Sequence, residues 1–199
     1  AISLLSMERT ALNIAMHLSG VASFTYKIVE KLKNTDIKLA DTRKTTPGLR
    51  IFEKYAFKCG GGINHRMGLY DAAMIKENHI AWSDNLINTV KKLRDNIPFT
   101  SHIIIEAETI EQAKEAIFAG ADSILLDEIN PDLLRKSIKE LRMTSKELCK
   151  KNNSKQLIIE VSGINHIEID KYLIEGIDFI STSSSVTKSK WIDLSMRYI

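Results

Sequence analysis

S-H-I-I-I-E-A-E-T-I-E-Q-A-K-E-A-I-F-A-G-A-D-S-I-L-L-D, residues 101–127, reads as strand, helix and strand in succession. The apolar run Ile103-Ile104-Ile105 ends at Glu106, and Ile110 to Ala119 carries helical spacing. Gly120 stands where a helix C-cap is expected, and Ile124-Leu125-Leu126 then ends at Asp127. The same unit repeats outward in both directions. Ile37 to Ala40 ends at Asp41, Met74-Ile75 at Lys76, Leu157 to Val161 at Ser162-Gly163, and Phe179-Ile180 at Ser181-Thr182-Ser183. Helical segments are expected between them, at Glu53 to Lys58, Asp84 to Arg94, Pro131 to Cys149 and His166 to Glu175. Gly176-Ile-Asp repeats the Gly120-Ala-Asp signal before the last strand.

Strand runs apolar on both faces, alternating with helices, mean a parallel sheet covered by helices. Roughly six such units favour a closed or nearly closed parallel α/β barrel over an open doubly wound sheet. No G-x-G-x-x-G follows a strand, which counts against a dinucleotide-binding sheet. Residues 3–32 read as an amphipathic helix, broken or bent near Ser19-Gly20. The expected organisation is a helical lead-in over residues 1–36 and the barrel over 37–199.

With 199 residues, 44% hydrophobic and 27% charged, the chain can build one sizeable core. A formal charge of +3 is too mild for a nucleic-acid protein, and no basic stripe interleaved with aromatics appears. Cys59 and Cys149 make no metal or redox spacing and fit reduced thiols in a cytoplasmic protein. No run has the apolar length of a membrane span, and no signal peptide opens the chain. Ala1 leads almost directly into a helix, as though something upstream had been removed.

The chemistry concentrates between Asp41 and His79, where Arg43, Lys44, Arg50, His65, Arg66 and Lys76 sit among glycines, threonines and a proline. Arginine forks match carboxylates and phosphates, and lysine adds a compact point charge. The stretch reads as a pocket for a small polyanion; the alternative is a basic surface loop that binds nothing in particular. A barrel collects the carboxyl ends of its strands at one rim. That rim takes Arg43, Lys44, Lys76, Glu106, Asp127, Ser162, Gly163, Thr182 and Ser183. Phosphate tends to lie at the last two strand loops, here the turns at Ser162-Gly163 and Thr182-Ser183. Glu106 and Asp127 could supply the one or two carboxylates that magnesium needs when a phosphate substrate carries it in. His65 is expected to meet ligand, and His79 either orients Lys76 or caps a turn. His17, His102 and His166 read as surface or packing residues. Arg9, alone on a helix, reads as an exposed residue paired with Glu8 or a neighbour.

Four motifs then resemble a known family. D-T-R-K-T-T-P-G-L-R (41–50), G-G-G-I-N-H-R-M-G-L-Y-D (60–71), M-I-K-E-N-H (74–79) and E-V-S-G (160–163) resemble quinolinate phosphoribosyltransferase, the carboxylating nicotinate-nucleotide pyrophosphorylase. E-R-T-A-L-N (8–13) and L-S-G-V-A-S (18–23) resemble the helix entering that family's barrel. The resemblance implies conversion of quinolinate and phosphoribosyl pyrophosphate, with magnesium, to nicotinate mononucleotide, pyrophosphate and CO2 in NAD biosynthesis. It implies that Thr42, Arg43, His65 and Arg66 hold the quinolinate carboxylates, and that Lys44 and Lys76 lie between quinolinate and pyrophosphate. Glu106 and Asp127 would face the ribose hydroxyls and metal, with Ser162, Gly163, Thr182 and Ser183 at the 5′-phosphate. Arg9 would reach the pocket of a neighbouring subunit in a homodimer or higher oligomer. The sequence departs from the family's pattern at Ile104, Glu128, Ile164, Ser183 and Lys188, and the family's N-terminal domain has no counterpart here. Rival readings are a relative using another aromatic carboxylate and a non-catalytic anion-binding or dimerisation remnant. A glycoside hydrolase barrel is disfavoured, since sugar subsites want aromatic platforms and aromatics make up 7%.

Overall fold

The computed structural model describes residues 2–82, 85–152 and 156–197. Asp84, expected to open a helix, and residues 153–155 lie outside the described residues. Six strands are present among them: β1 Lys38–Ala40, β2 Ala73–Ile75, β3 Ile103–Ala107, β4 Ser123–Asp127, β5 Ile158–Ser162 and β6 Phe179–Ser181. They form one sheet in the order β1-β6-β5-β4-β3-β2, and every neighbouring pair is parallel. The first strand thus lies beside the last, as in a sheet that winds in chain order and returns upon itself. The free edge of β1 takes a parallel backbone bridge from Ile63, with Ile63 N–H donating to Leu39 O at 2.8 Å. What stays open is the gap between that bridge and β2. A single cavity draws lining residues from all six strands or the residues just after them. A flat sheet with β1 and β2 at opposite edges does not permit that, so the molecule is a nearly closed α/β barrel.

Alternation along the strands sorts the side chains. Ile75, Ile103, Ile105, Ile124, Leu126, Ile159, Val161 and Ile180 turn outward and are buried in the core. They pack with Ala113, Ala116 and Ile117 of α5 (Ile110–Ala119) and Leu134, Ile138 and Leu141 of α6 (Pro131–Asn152). Each such side chain contributes about 1.5–3 kcal/mol on burial. The inward set corrects the expectation of strands apolar on both faces. Glu106, Leu125 and Glu160 stand abreast in register across β3, β4 and β5, and Ser123 follows one step earlier on β4. The interior is mixed, with Met74, Ile104 and Leu125 beside the acids and Ser123, and Glu106 and Glu160 face the cavity.

At the opposite end the repeated Gly-x-Asp signal acquires a physical meaning. Asp122 accepts from Ile103 N–H and from Arg94 of α4 (Leu86–Asn96), both at 2.8 Å. Asp178 accepts from Ile159 N–H at 2.7 Å and from Arg142 of α6. Each aspartate therefore ties a strand start to a helix, closing the base of the barrel twice over.

Three expectations need correction. α1 (Ile2–Leu32) continues unbroken through Ser19 and Gly20. Gly20 is there for close approach, since a Cβ on it would lie 2.2 Å from Lys190 O in the C-terminal segment that runs across the helix. His166 to Glu175 yields only a 3-10 turn, Ile169–Tyr172. Its apolar residues at 167, 169, 172, 173 and 174 do not keep a 3.6-residue period, so no long helix face forms. Two short helices follow strand ends unannounced, α3 (Glu77–Ala81) and α7 (Ser184–Thr187). The segment between β1 and β2 folds into α2 (Arg50–Cys59), longer than the expected Glu53 to Lys58. Among the described residues no helix is long and apolar enough to cross a membrane.

Candidate active site

The cavity, about 420 Å³, lies at the carboxyl ends of the strands. Its first wall starts with a buried ion pair. Asp41, just past β1, accepts from Lys54 Nζ of α2 and from the His65 N–H at 2.8 Å, and Lys54 also donates to the His65 carbonyl at 2.9 Å. Burial pushes the Asp41 carboxyl above its ordinary value, while the hydrogen bond and charge of Lys54 pull it back. Next to Lys54 the fully buried Glu53 meets His17 Nε2 of α1 at 2.7 Å and accepts the Thr46 N–H at 2.9 Å. Two acids and a lysine thus hold the loop after β1 against the loop after α2, so that Thr42, Arg43, Lys44, His65 and Arg66 share one rim. Arg50 stays out of the cavity and braces the loop, donating to Thr45 Oγ1, Met67 O and Arg43 O.

Arg66 spans the open seam of the barrel, donating to Ala72 O at 2.8 Å and approaching Met74 Sδ at 3.4 Å. Burial first, then the nearby Arg43 charge, pushes its guanidinium below its ordinary value. Among the described residues no carboxylate forms an ion pair with either guanidinium, although Asp71 adds a weaker opposing influence at Arg66, and the two together make a seat for an anion. His65 Nδ1 accepts the Arg66 N–H at 2.7 Å, so its ring proton sits on Nε2, 3.3 Å from Glu160 Oε2.

The facing wall is acidic. Lys76, past β2, donates to Glu106 Oε2 at 2.6 Å. Burial raises the Glu106 carboxyl and Asp127 adds to it, while the hydrogen bond and charge of Lys76 oppose them. His79 Nδ1 accepts the Lys76 N–H at 3.0 Å and so caps α3, the second of its two expected roles. Asp127, ending β4, accepts from Ser162 Oγ at the end of β5. Gly163 follows at φ +72°, where a Cβ would lie 2.4 Å from Glu128 Cγ and 3.0 Å from Asp127 Oδ1. Only glycine suits that turn. Thr182 and Ser183 complete the circuit: the Thr182 N–H donates to Ala40 O, and Thr182 Oγ1 accepts the Ser184 N–H, both at 3.0 Å.

Every residue expected at the site lines the cavity except Arg9, which is exposed on α1 and away from it. His17 and His166 pack as expected, His17 against Trp191 and His166 against Phe24. Among the described residues no group of three or more His, Cys, Asp or Glu could hold a metal ion. Sequence reasoning missed Asp41, Glu53, Lys54 and Glu160. For the middle pair a signal existed: α2 turns Glu53, Lys54, Ala56 and Phe57 inward and leaves Ile51, Phe52 and Tyr55 exposed. Charges on the buried face of a helix announce partners. For Glu160 the signal was its two-residue spacing from Ser162 on one strand, which puts both on the same face.

Comparison with known proteins follows the same line. A family model described as quinolinate phosphoribosyl transferase, C-terminal domain, matches residues 21–197. The chain is 39% identical over 198 residues to a probable nicotinate-nucleotide pyrophosphorylase [carboxylating] of Synechocystis, covering 99% of this chain and 64% of that protein. It is 51% identical over 135 residues to the Bacillus subtilis protein of the same name, covering 68% of this chain and 47% of that one. Among solved structures, NadC from Streptococcus pyogenes superposes with a TM-score of 0.85 at 39% identity, over 98% of this chain and 65% of its own. The nicotinate-nucleotide pyrophosphorylase of Francisella tularensis gives 0.83 at 36%, over 97% and 64%. The chain therefore spans a little under two thirds of several of the proteins it matches. With the family model matching residues 21–197, most of its length, this chain belongs to the quinolinate phosphoribosyl transferase C-terminal-domain family.

Proposed function

We propose that this barrel binds quinolinate and phosphoribosyl pyrophosphate side by side and transfers the phosphoribosyl group to the pyridine nitrogen, giving nicotinate mononucleotide, pyrophosphate and CO2. The observation that carries the reading is opposite charge lining one cavity, with Arg43, Lys44 and Arg66 on the loops after β1 and α2, and Glu106 and Asp127 on β3 and β4, Glu106 paired with Lys76. A diacid suits the cations. A sugar whose anomeric carbon becomes cationic suits the acids.

Arg43 and Arg66 hold the ring carboxylates and aim the nitrogen at the sugar; correct orientation alone is worth several kcal/mol, up to about 7–11. Displacement passes through an oxocarbenium-like state, whose positive charge Glu106 and Asp127 offset. Lys44 and Lys76 take up negative charge on the departing pyrophosphate. Once alkylated, the cationic ring nitrogen stabilises the electron pair left on the adjacent ring carbon as CO2 departs, and that carbon then takes a proton from solvent, so no base is assigned to that step. Ser162, Gly163, Thr182 and Ser183 hold the 5′-phosphate through hydroxyls and backbone N–H groups. Asp127, with Glu106 beside it, fits the modest demand of magnesium arriving on a diphosphate, which needs only one or two protein carboxylates. When bound it supplies charge neutralisation at the leaving group.

Exposed Ile51, Phe52 and Tyr55 on α2, with Met7 and Ile14 on α1, support a subunit contact in which Arg9 serves a neighbouring cavity. The test of the reading is product analysis. The protein should release pyrophosphate from phosphoribosyl pyrophosphate with quinolinate and not with nicotinate. Release with nicotinate alone would assign the cavity to a monocarboxylate relative, and release with neither would leave an anion-binding module.

A further inference from the structure

Of the four carboxylates lining the cavity, Glu106 and Asp127 serve the proposed mechanism and Asp41 pairs with Lys54, which leaves Glu160 without a role. Glu160, in the middle of β5, is 5% exposed, and its Oε1 has no hydrogen-bond partner. Among the described residues no lysine or arginine pairs with it; the one basic side chain recorded within 4 Å is His65, whose Nε2 lies 3.3 Å from Oε2. The other acids of the cavity are provided for, Asp41 by Lys54, Glu106 by Lys76 and Asp127 by Ser162. A buried carboxylate without a cation of its own is costly, and a fold keeps one where a ligand supplies the missing donor.

Position says which ligand. Glu160 stands level with Glu106, separated from it by Leu125 of the intervening strand, so both acids face the cavity from the same height. Of the two proposed substrates quinolinate, as the dianion, carries no hydrogen-bond donor. The sugar carries two hydroxyls. His65 cannot serve instead, because its Nδ1 already accepts the Arg66 N–H and its Nε2 proton lies beside Glu160 itself.

We propose that Glu160 is a substrate-binding residue, its carboxylate accepting a ribose hydroxyl while holding the His65 ring in place. This rests on the phosphoribosyl transfer proposed above. Calorimetric titration of the protein with ribose 5-phosphate, and separately with inorganic phosphate, tests it. Glu160→Met keeps the length of the side chain and removes both acceptors, and swapping a buried acid for an apolar residue of similar volume is compatible with folding. Its affinity for ribose 5-phosphate should fall by about tenfold or more, the range for a hydrogen bond to a charged group, with inorganic phosphate binding unchanged. Should that variant not fold, Glu160→Gln, which removes the charge alone, should lose ribose 5-phosphate affinity in the same direction. Equal binding of ribose 5-phosphate by wild type and variant overturns the Glu160 assignment and spares the wider reading. No binding of ribose 5-phosphate by the wild type overturns both.

Discussion

At the scale of single residues the site works by unequal neutralisation. Arg43 and Arg66 share one cavity and the Arg43 charge acts unfavourably on Arg66, whereas Glu106 is held by Lys76 at 2.6 Å. The Glu106 pair has a consequence for pH. Burial and Asp127 raise the Glu106 carboxyl, so it takes up a proton at higher pH than an ordinary glutamate as the solution is acidified. If its ionised form is needed, the acid limb of the kcat/KM profile should lie above the ordinary glutamate range, and Glu106→Gln should abolish that limb. Lys76 works in the opposite sense, and Lys76→Ala should therefore move the limb to still higher pH. A limb that stays in place in the lysine variant would show that another group controls it. The residue scale is also where reading from sequence did best and worst. Arg43, Lys44 and Arg66 were legible as cavity-lining cations because they cluster beside turn-forming residues, although Arg50 in the same stretch braces the loop instead. Glu160 was missed, because its one trace in the sequence is the two-residue spacing from Ser162, and strand register is what gives it neighbours.

At the scale of elements, the barrel separates its stabilising and its working ends. The base is closed by Asp122 with Arg94 and by Asp178 with Arg142, far from the strand ends that carry the chemistry. Arg142 also donates to Gly176 O at 2.8 Å and Leu157 O at 2.6 Å, so its loss leaves several partly buried acceptors without a partner. Arg142→Ala should cost about 2–3 kcal/mol in urea unfolding while leaving KM for both substrates within error. A change in KM without a change in stability would contradict the division of labour. Strands and most helices were legible, since Ile103 to Ile105 and Ile110 to Ala119 have different periods and a glycine between them and the next strand. Two signals misled. Gly20 was read as a break and is a contact point for the chain near Lys190, which no local pattern reveals. The run from His166 was read as a helix although its apolar spacing does not support one.

At the scale of the whole molecule, the wound sheet is what turns scattered motifs into a site. Residues from Asp41 to Ser184, more than a hundred positions apart in the chain, meet because β1 pairs with β6. That closure was anticipated from the count and order of strands. The Ile63 bridge and the seam held by Arg66 were not, because a single bridged residue leaves no periodic trace. The account stands on two carboxylates being recognised together by the arginine wall. Direct binding measures this: quinolinate and nicotinate titrated calorimetrically into the protein and into its Arg66→Ala variant. Quinolinate should bind the wild type about tenfold or more tightly than nicotinate, and that preference should collapse in the variant. Equal affinities for the two acids, or a preference that survives without Arg66, would contradict it.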